Sequence, residues 1–85
     1  MKTYYSQIKV DDLTFEKVEE YLKGKSNNEI ILGNGRFYTF VSDPFDDASD
    51  KRIRTEPRAN ILSIGPNVPA EVKSKIQKMT KKKII

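Results

Sequence analysis

The sequence contains no cysteine and no histidine. Disulfides, thiolate nucleophiles, the usual zinc sites and imidazole acid–base chemistry are therefore excluded, and a metal could be held only by carboxylates. No apolar run approaches the length that a membrane span needs, and the first ten residues alternate and are polar, unlike a signal peptide. From these absences we expect a cytoplasmic protein without a cofactor or a membrane segment.

Charge is distributed unevenly along the chain. The 85 residues predict one domain, 1–85, with a net charge of +4. Residues 1–50 hold six Lys/Arg and ten Asp/Glu, whereas residues 51–85 hold ten Lys/Arg and two Asp/Glu, so the two parts carry −4 and +8. A basic part attracts phosphate backbones, anionic lipids or acidic proteins, although a lysine-rich solvated surface gives the same composition.

The stretch Glu29–Val41 predicts a β-hairpin. Asn34-Gly35 lies between two runs of branched and aromatic residues, and both residues accept positive φ, which suits a two-residue type I′ turn. The expected register pairs Leu32 with Phe37 and Ile31 with Tyr38. One face, expected to be the core face, then carries Ile30, Leu32, Phe37, Thr39 and Val41. The other face carries Glu29, Ile31, Arg36, Tyr38 and Phe40.

A strand and a helix are predicted before the hairpin. Thr3–Val10 alternates, which predicts a strand whose even-numbered residues face the core. Thr14 is the expected N-cap of a helix that ends at Gly24. The buried stripe of this helix is expected to be Phe15, Val18 and Leu22.

The second part of the chain begins with an irregular loop, expected at about residues 42–58. Pro44 and Pro57 discourage regular structure there, although Arg52–Thr55 can form a short edge strand. Ala59–Gly65 predicts another strand, with Leu62 and Ile64 facing the core. A basic helix is expected at about residues 69–83, with Pro69 in its first turn and a buried stripe formed by Val72, Ile76 and Met79.

The predicted order of elements is β-α-β-β-loop-β-α. Two amphipathic helices with one apolar stripe each fit best on one face of a sheet. We therefore expect a small α+β domain with about four mainly antiparallel strands and two helices on one face. The second face of the sheet then carries two basic residues among three aromatic and two aliphatic ones, which makes it too apolar for an ordinary solvated face. Its residues are Tyr5, Lys9, Ile31, Arg36, Tyr38, Phe40 and Ile61.

Three explanations compete for that second face. It can be a nucleic-acid platform, where bases stack on aromatic rings while cations neutralise phosphates. It can be a homodimer interface, because interfaces are enriched in Tyr, Phe and Arg. It can also be covered by the chain's own long loop, with Phe45 folded over the sheet. The nucleic-acid explanation adds the basic loop and the last helix, and its candidate binding residues are Tyr5, Lys9, Arg36, Tyr38, Phe40, Lys51, Arg52, Arg54, Arg58, Lys75, Lys78 and Lys82.

Catalysis is the least supported class of function. Four clustered aspartates could hold magnesium, but they lack the ligand spacing of an EF-hand loop: Asp43, Asp46, Asp47 and Asp50. No residue has an evident reason for a shifted pKa. The leading hypothesis is a small non-catalytic nucleic-acid-binding protein without a metal site. The alternative is a protein-interaction module, inhibitory or regulatory and able to form a homodimer, that docks through the same sheet face.

Overall fold

The computed structural model describes residues 5–41 and 50–83, apart from the side chain of Leu32. Within these ranges the elements are β1 (Ser6–Lys9), α1 (Asp12–Lys25), β2 (Asn28–Leu32), β3 (Gly35–Thr39), β4 (Arg52–Glu56), β5 (Ile61–Ile64) and α2 (Ala70–Thr80). The predicted α+β class is confirmed, with five strands instead of about four. The expectations for Thr3, Tyr4, Asp43, Phe45, Asp46 and Asp47 lie outside the described residues.

The sheet has the strand order β1-β5-β4-β3-β2, and every neighbouring pair is antiparallel. The extra strand is β4, for which the sequence predicted at most a short edge strand. Instead β4 is central, because Ile53 pairs with Tyr38 on one side and with Ile64 on the other. Its alternate residues Ile53 and Thr55 are fully buried. The exposed edges of the described sheet are β1 and β2.

The core lies between the sheet and the two helices, as predicted. Its buried apolar side chains are Ile8, Phe15, Val18, Leu22, Tyr38, Ile53, Leu62, Ile64, Val68, Val72 and Ile76. The predicted stripes of both helices are in this set, and Met79 packs against it. Neither described helix is both long and apolar enough to cross a membrane.

The helix boundaries differ from the prediction at three ends. Asp11, not Thr14, caps α1, because the Asp11 carboxylate accepts a hydrogen bond from the Thr14 backbone N–H at 2.7 Å. The helix continues through Gly24 and ends at Lys25, and the N–H of the C-cap residue Ser26 donates a hydrogen bond to the Leu22 carbonyl. α2 stops at Thr80, since the next residue, Lys81, adopts a left-handed conformation with φ of 57°. Residues 82 and 83 therefore lie beyond the helix that was expected to include them.

The hairpin turn is Gly33-Asn34, one residue earlier than predicted. Leu32 pairs with Gly35, and Ile30 pairs with Phe37, so the register differs by two residues from the expected one. Gly33 has a φ of +46°, which matches the first position of a type II′ turn. The two-residue shift keeps the predicted grouping of side chains by face, because side chains along a strand alternate with a period of two.

The prediction of which hairpin face is buried is wrong. Tyr38 is fully buried under the helices and Phe40 packs against the core, whereas Phe37 and Ile30 lie on the face opposite the helices. β3 carries large apolar residues on both faces, so its own pattern does not decide the orientation. The pairing with β4 decides it, because Tyr38 lies beside buried Ile53 while Phe37 lies beside exposed Arg54.

Candidate functional site

The sheet face opposite the helices, here called the open face, carries side chains from all five described strands, and two of them, Thr39 and Ser63, are buried among their neighbours. One row across the sheet consists of Gln7, Ser63, Arg54, Phe37 and Ile30. The row on one side of it includes Lys9, Ile61 and Glu56, and the row on the other side includes Arg52, Thr39 and Asn28. Within a row, each residue is paired with its neighbour on the adjacent strand, so the row lies on one face. The three rows share this face because they are two residues apart along each strand.

A cavity of about 340 Å³ opens on this face. The described residues that line it are Tyr5, Gln7, Phe37, Arg52, Arg54, Glu56 and Ser63. The set combines two aromatic rings, two guanidinium groups, one carboxylate and two neutral polar groups. This volume lies at the lower end of the range for small-molecule pockets, and the lining can both stack on a flat ring and bind its polar edge.

Two arginines flank the ring of Phe37. The Cζ atom of Arg52 lies 5.0 Å from the ring centroid, and that of Arg54 lies 5.7 Å from it, both within cation–π range. Arg54 Nε is 3.5 Å from Glu56 Oε1. The buried Nε of Arg52 has no hydrogen-bond partner.

Arg36, Tyr38 and Phe40 are not part of this surface, which corrects the prediction for all three. Arg36 lies on the helix side of the sheet, where its Nη1 is 3.6 Å from Glu19 Oε2 and 3.4 Å from Glu29 Oε1. Contact with the Tyr38 phenol raises the pKa of Arg36, so this guanidinium is permanently charged. Burial raises the pKa of Tyr38, and the phenol therefore stays neutral at physiological pH. Both side chains therefore lie on the helix side of the sheet and not on the open face.

The predicted lysines of α2 also lie away from the cavity. Lys75 and Lys78 border a groove between α1 and α2 that also contains Tyr21. Lys25 on the rim of this groove pairs with Glu71 at 3.6 Å. These cations belong to the helix layer, whereas the cavity is on the opposite side of the sheet. The basic residues of the second part of the chain are therefore divided between two surfaces.

The three remaining candidates line neither the cavity nor the groove between the helices. Arg58 is exposed in the turn between β4 and β5, and Lys82 is exposed after α2. Lys51 precedes β4, and its carbonyl accepts a hydrogen bond from the Phe40 N–H at 3.0 Å. Of the twelve predicted residues, the cavity thus brings together Tyr5, Arg52 and Arg54, and Lys9 lies on the same face.

Sequence reasoning missed four members of the cavity lining: Gln7, Phe37, Glu56 and Ser63. Phe37 was assigned to the core because the hairpin pattern could not distinguish its two faces. Glu56 was placed in an irregular loop, since Pro57 follows it directly. One usable signal was present, because Arg52, Arg54 and Glu56 alternate with apolar Ile53, a period that indicates a strand with one charged face.

No family model, curated protein or solved structure matches the chain. The described residues also contain no group of three carboxylates that could hold a metal ion. Asp50, the described member of the acidic segment, has a structural contact instead, because its carboxylate accepts a hydrogen bond from the Asn67 side chain.

Proposed function

We propose that this protein is a non-catalytic nucleic-acid-binding protein that binds through its open face. The observation that carries the proposal is the cavity in which two guanidinium groups lie within about 6 Å of the centre of the Phe37 ring. Aromatic rings and guanidinium planes both stack on nucleobases, and stacking contributes about 1–3 kcal/mol per base. Arginine adds a planar fork of donors that matches phosphate oxygens.

The charge of the open face supports the same proposal. Lys9, Arg52 and Arg54 supply three positive charges, against the single negative charge of Glu56. Arg54 pairs with Glu56, whereas no ion pair engages Arg52 within the described part of the chain. A surface with a net positive charge attracts a polyanion and accelerates its encounter with the protein.

Fluorescence anisotropy with labelled single-stranded DNA, RNA and duplex DNA over a salt series tests this function. For a single strand that contacts three cations, the slope of log K against log salt concentration is expected to be about −2. Arg54→Gln should make this slope shallower by about 0.7, because one fewer counterion is released. Lys78→Gln removes the same charge from the helix layer and should leave the slope unchanged. Salt-independent binding, or no binding to any of the three probes, would contradict the proposal.

A second candidate is a protein-association module, and the edge strand β2 favours it. Ile30 is 44% exposed and Ile31 is 69% exposed, so this edge presents two apolar side chains to solvent. A second copy of the chain is the partner that this edge fits, because antiparallel self-pairing satisfies the unpaired backbone groups of both copies at once.

A further inference from the structure

The volume and lining of the cavity on the open face suit a single base. Its volume of about 340 Å³ and its two aromatic walls, Tyr5 and Phe37, suit a single flat ring system with its sugar. In a duplex the faces of a base are stacked and its Watson–Crick edge is paired. Only an unpaired base can present its face to Phe37 and its edge to the polar lining at the same time.

The polar groups around Phe37 define a pattern of donors and acceptors. Arg52 and Arg54 offer only donors, and no ion pair engages Arg52 within the described residues. Glu56 offers only acceptors, because an ionised carboxylate has two oxygens and no proton. The ring edge that fits must therefore have acceptors on one side and donors on the other.

Guanine fits this pattern best among the four bases. Its O6 and N7 atoms are adjacent acceptors, for which arginine is the commonest specific partner. Its N1–H and exocyclic amino group are adjacent donors that match the two oxygens of a carboxylate. Adenine has no O6 acceptor, and uracil and thymine offer a single N–H donor. Cytosine has two adjacent acceptors, N3 and O2, but its amino group has no ring N–H beside it, so it cannot offer a carboxylate the pair of donors that guanine offers.

We propose that the cavity is a subsite for one unpaired guanine base, in a single strand of RNA or DNA. The base stacks against Phe37, Arg52 and Arg54 donate to its O6 and N7 edge, and Glu56 accepts from its N1–H and amino group. This inference rests on the proposed nucleic-acid-binding function and adds to it the type of strand and the preferred base.

The test compares labelled oligouridylate ten-mers that carry one central guanine, adenine or cytosine, together with the matching oligothymidylate series, at fixed salt concentration. The guanine probe should bind about tenfold more tightly than the adenine probe, since one bidentate pair gives roughly this discrimination. The RNA and DNA arms should show the same preference. A hairpin probe in which the guanine is base-paired should lose this preference for guanine.

Two charge-matched variants separate base recognition from generic attraction. Glu56→Gln should reduce the ratio of guanine to adenine affinity to less than about threefold, because the amide has one acceptor where the carboxylate has two. Glu71→Gln makes the same change of charge in the helix layer and should leave this ratio unchanged. Because the readout is a ratio of two affinities for one protein, a change in overall charge affects both probes equally. Circular dichroism confirms that both variants are folded.

The outcomes distinguish the two proposals. Equal binding of all probes by the wild-type protein, or tighter binding of a duplex, overturns the guanine subsite and leaves the nucleic-acid-binding function intact. No binding to any probe overturns both. A guanine preference that survives in Glu56→Gln overturns the subsite as proposed, since the preference would then come from another part of the surface.

Discussion

The adjacent aromatic residues Phe37 and Tyr38 have opposite environments. Tyr38 is fully buried between the sheet and the helices, and it lies beside Ile53. Phe37 is half-buried on the open face, where two guanidinium groups lie over its ring. Tyr38 therefore belongs to the core, while Phe37 lies on the opposite side of the sheet beside two cations.

This difference predicts separable effects of two alanine substitutions. Tyr38→Ala should lower the free energy of unfolding by about 3–5 kcal/mol, because it leaves a large cavity in the core. Phe37→Ala should lower it by about 1–2 kcal/mol, since a half-buried ring has less apolar area to lose. Urea denaturation followed by circular dichroism measures both. Equal losses in the two variants would contradict the assignment of faces.

At the scale of elements, α1 depends on a cap that titrates. The carboxylate of Asp11 accepts a hydrogen bond from the Thr14 backbone N–H, and interactions with the Thr14 side chain and then with its backbone lower the pKa of Asp11 below its ordinary value of 3.8. Because the pKa is lower in the folded state, the ionised carboxylate stabilises the fold above pH 3.8, and this contribution is lost as the pH falls through the folded-state pKa.

The cap therefore predicts a pH-dependent effect of substitution. Asp11→Ala should lower the melting temperature at pH 7, and its difference from the wild type should shrink at acidic pH below 3.8. Asp11→Asn keeps an acceptor for the Thr14 N–H and removes the titrating group, so it should retain most of the stability and flatten this part of the pH profile. Thermal melts from pH 2 to pH 7 provide the measurement. A difference between Asp11→Ala and the wild type that does not change with pH would refute the role of the charge.

Two glycines should respond in opposite directions to alanine. A Cβ atom at Gly65 would lie 2.5 Å from the Asp50 carbonyl oxygen and 2.9 Å from that of Arg52. Gly65→Ala must therefore push the end of β5 away from the start of β4, and it should destabilise the protein. Gly24 lies inside α1 with no atom within 4 Å of its added Cβ, and Gly24→Ala should stabilise the protein by about 0.5–1 kcal/mol. Chemical denaturation compares them. A stable Gly65→Ala protein would show that this close approach is absent in solution.

At the scale of the whole molecule, the two sheet edges differ. β1 has the polar sequence Ser-Gln-Ile-Lys, and the exposed Lys9 discourages pairing with another strand. β2 contains neither lysine nor proline, and it exposes Ile30 and Ile31. An antiparallel pair of β2 strands would join two five-stranded sheets into one and place two open faces side by side.

This asymmetry predicts that the protein self-associates through β2. Light scattering after size exclusion should show a concentration-dependent dimer for the wild type, and Ile31→Lys should remain monomeric because charge on an edge strand opposes pairing. Leu13→Lys is the control, since Leu13 is 62% exposed on α1 and distant in sequence from this edge. A wild-type protein that stays monomeric at high concentration would exclude this association.

The apolar faces of the elements could be predicted from the sequence, because they depend on short-range periodicity. The stripes Phe15–Leu22 and Val72–Met79, the faces of β1 and β5, and the grouping of hairpin side chains all follow from periods of 3.6 and 2. From these the α+β class and the position of the helices on one face could be predicted, as could Tyr5, Lys9, Arg52 and Arg54 on the candidate site.

Only the tertiary structure decided which hairpin face is buried. The segment Arg36–Phe40 is amphipathic in neither direction, so local pattern leaves its orientation open. Its burial depends on β4, a strand that is more than ten residues away in sequence and whose Ile53 continues the core row across the sheet. Two residues paired across neighbouring strands point to the same face of the sheet. The pairing of β3 with β4 therefore places Tyr38 beside buried Ile53, and places Phe37 on the other face with Arg52 and Arg54.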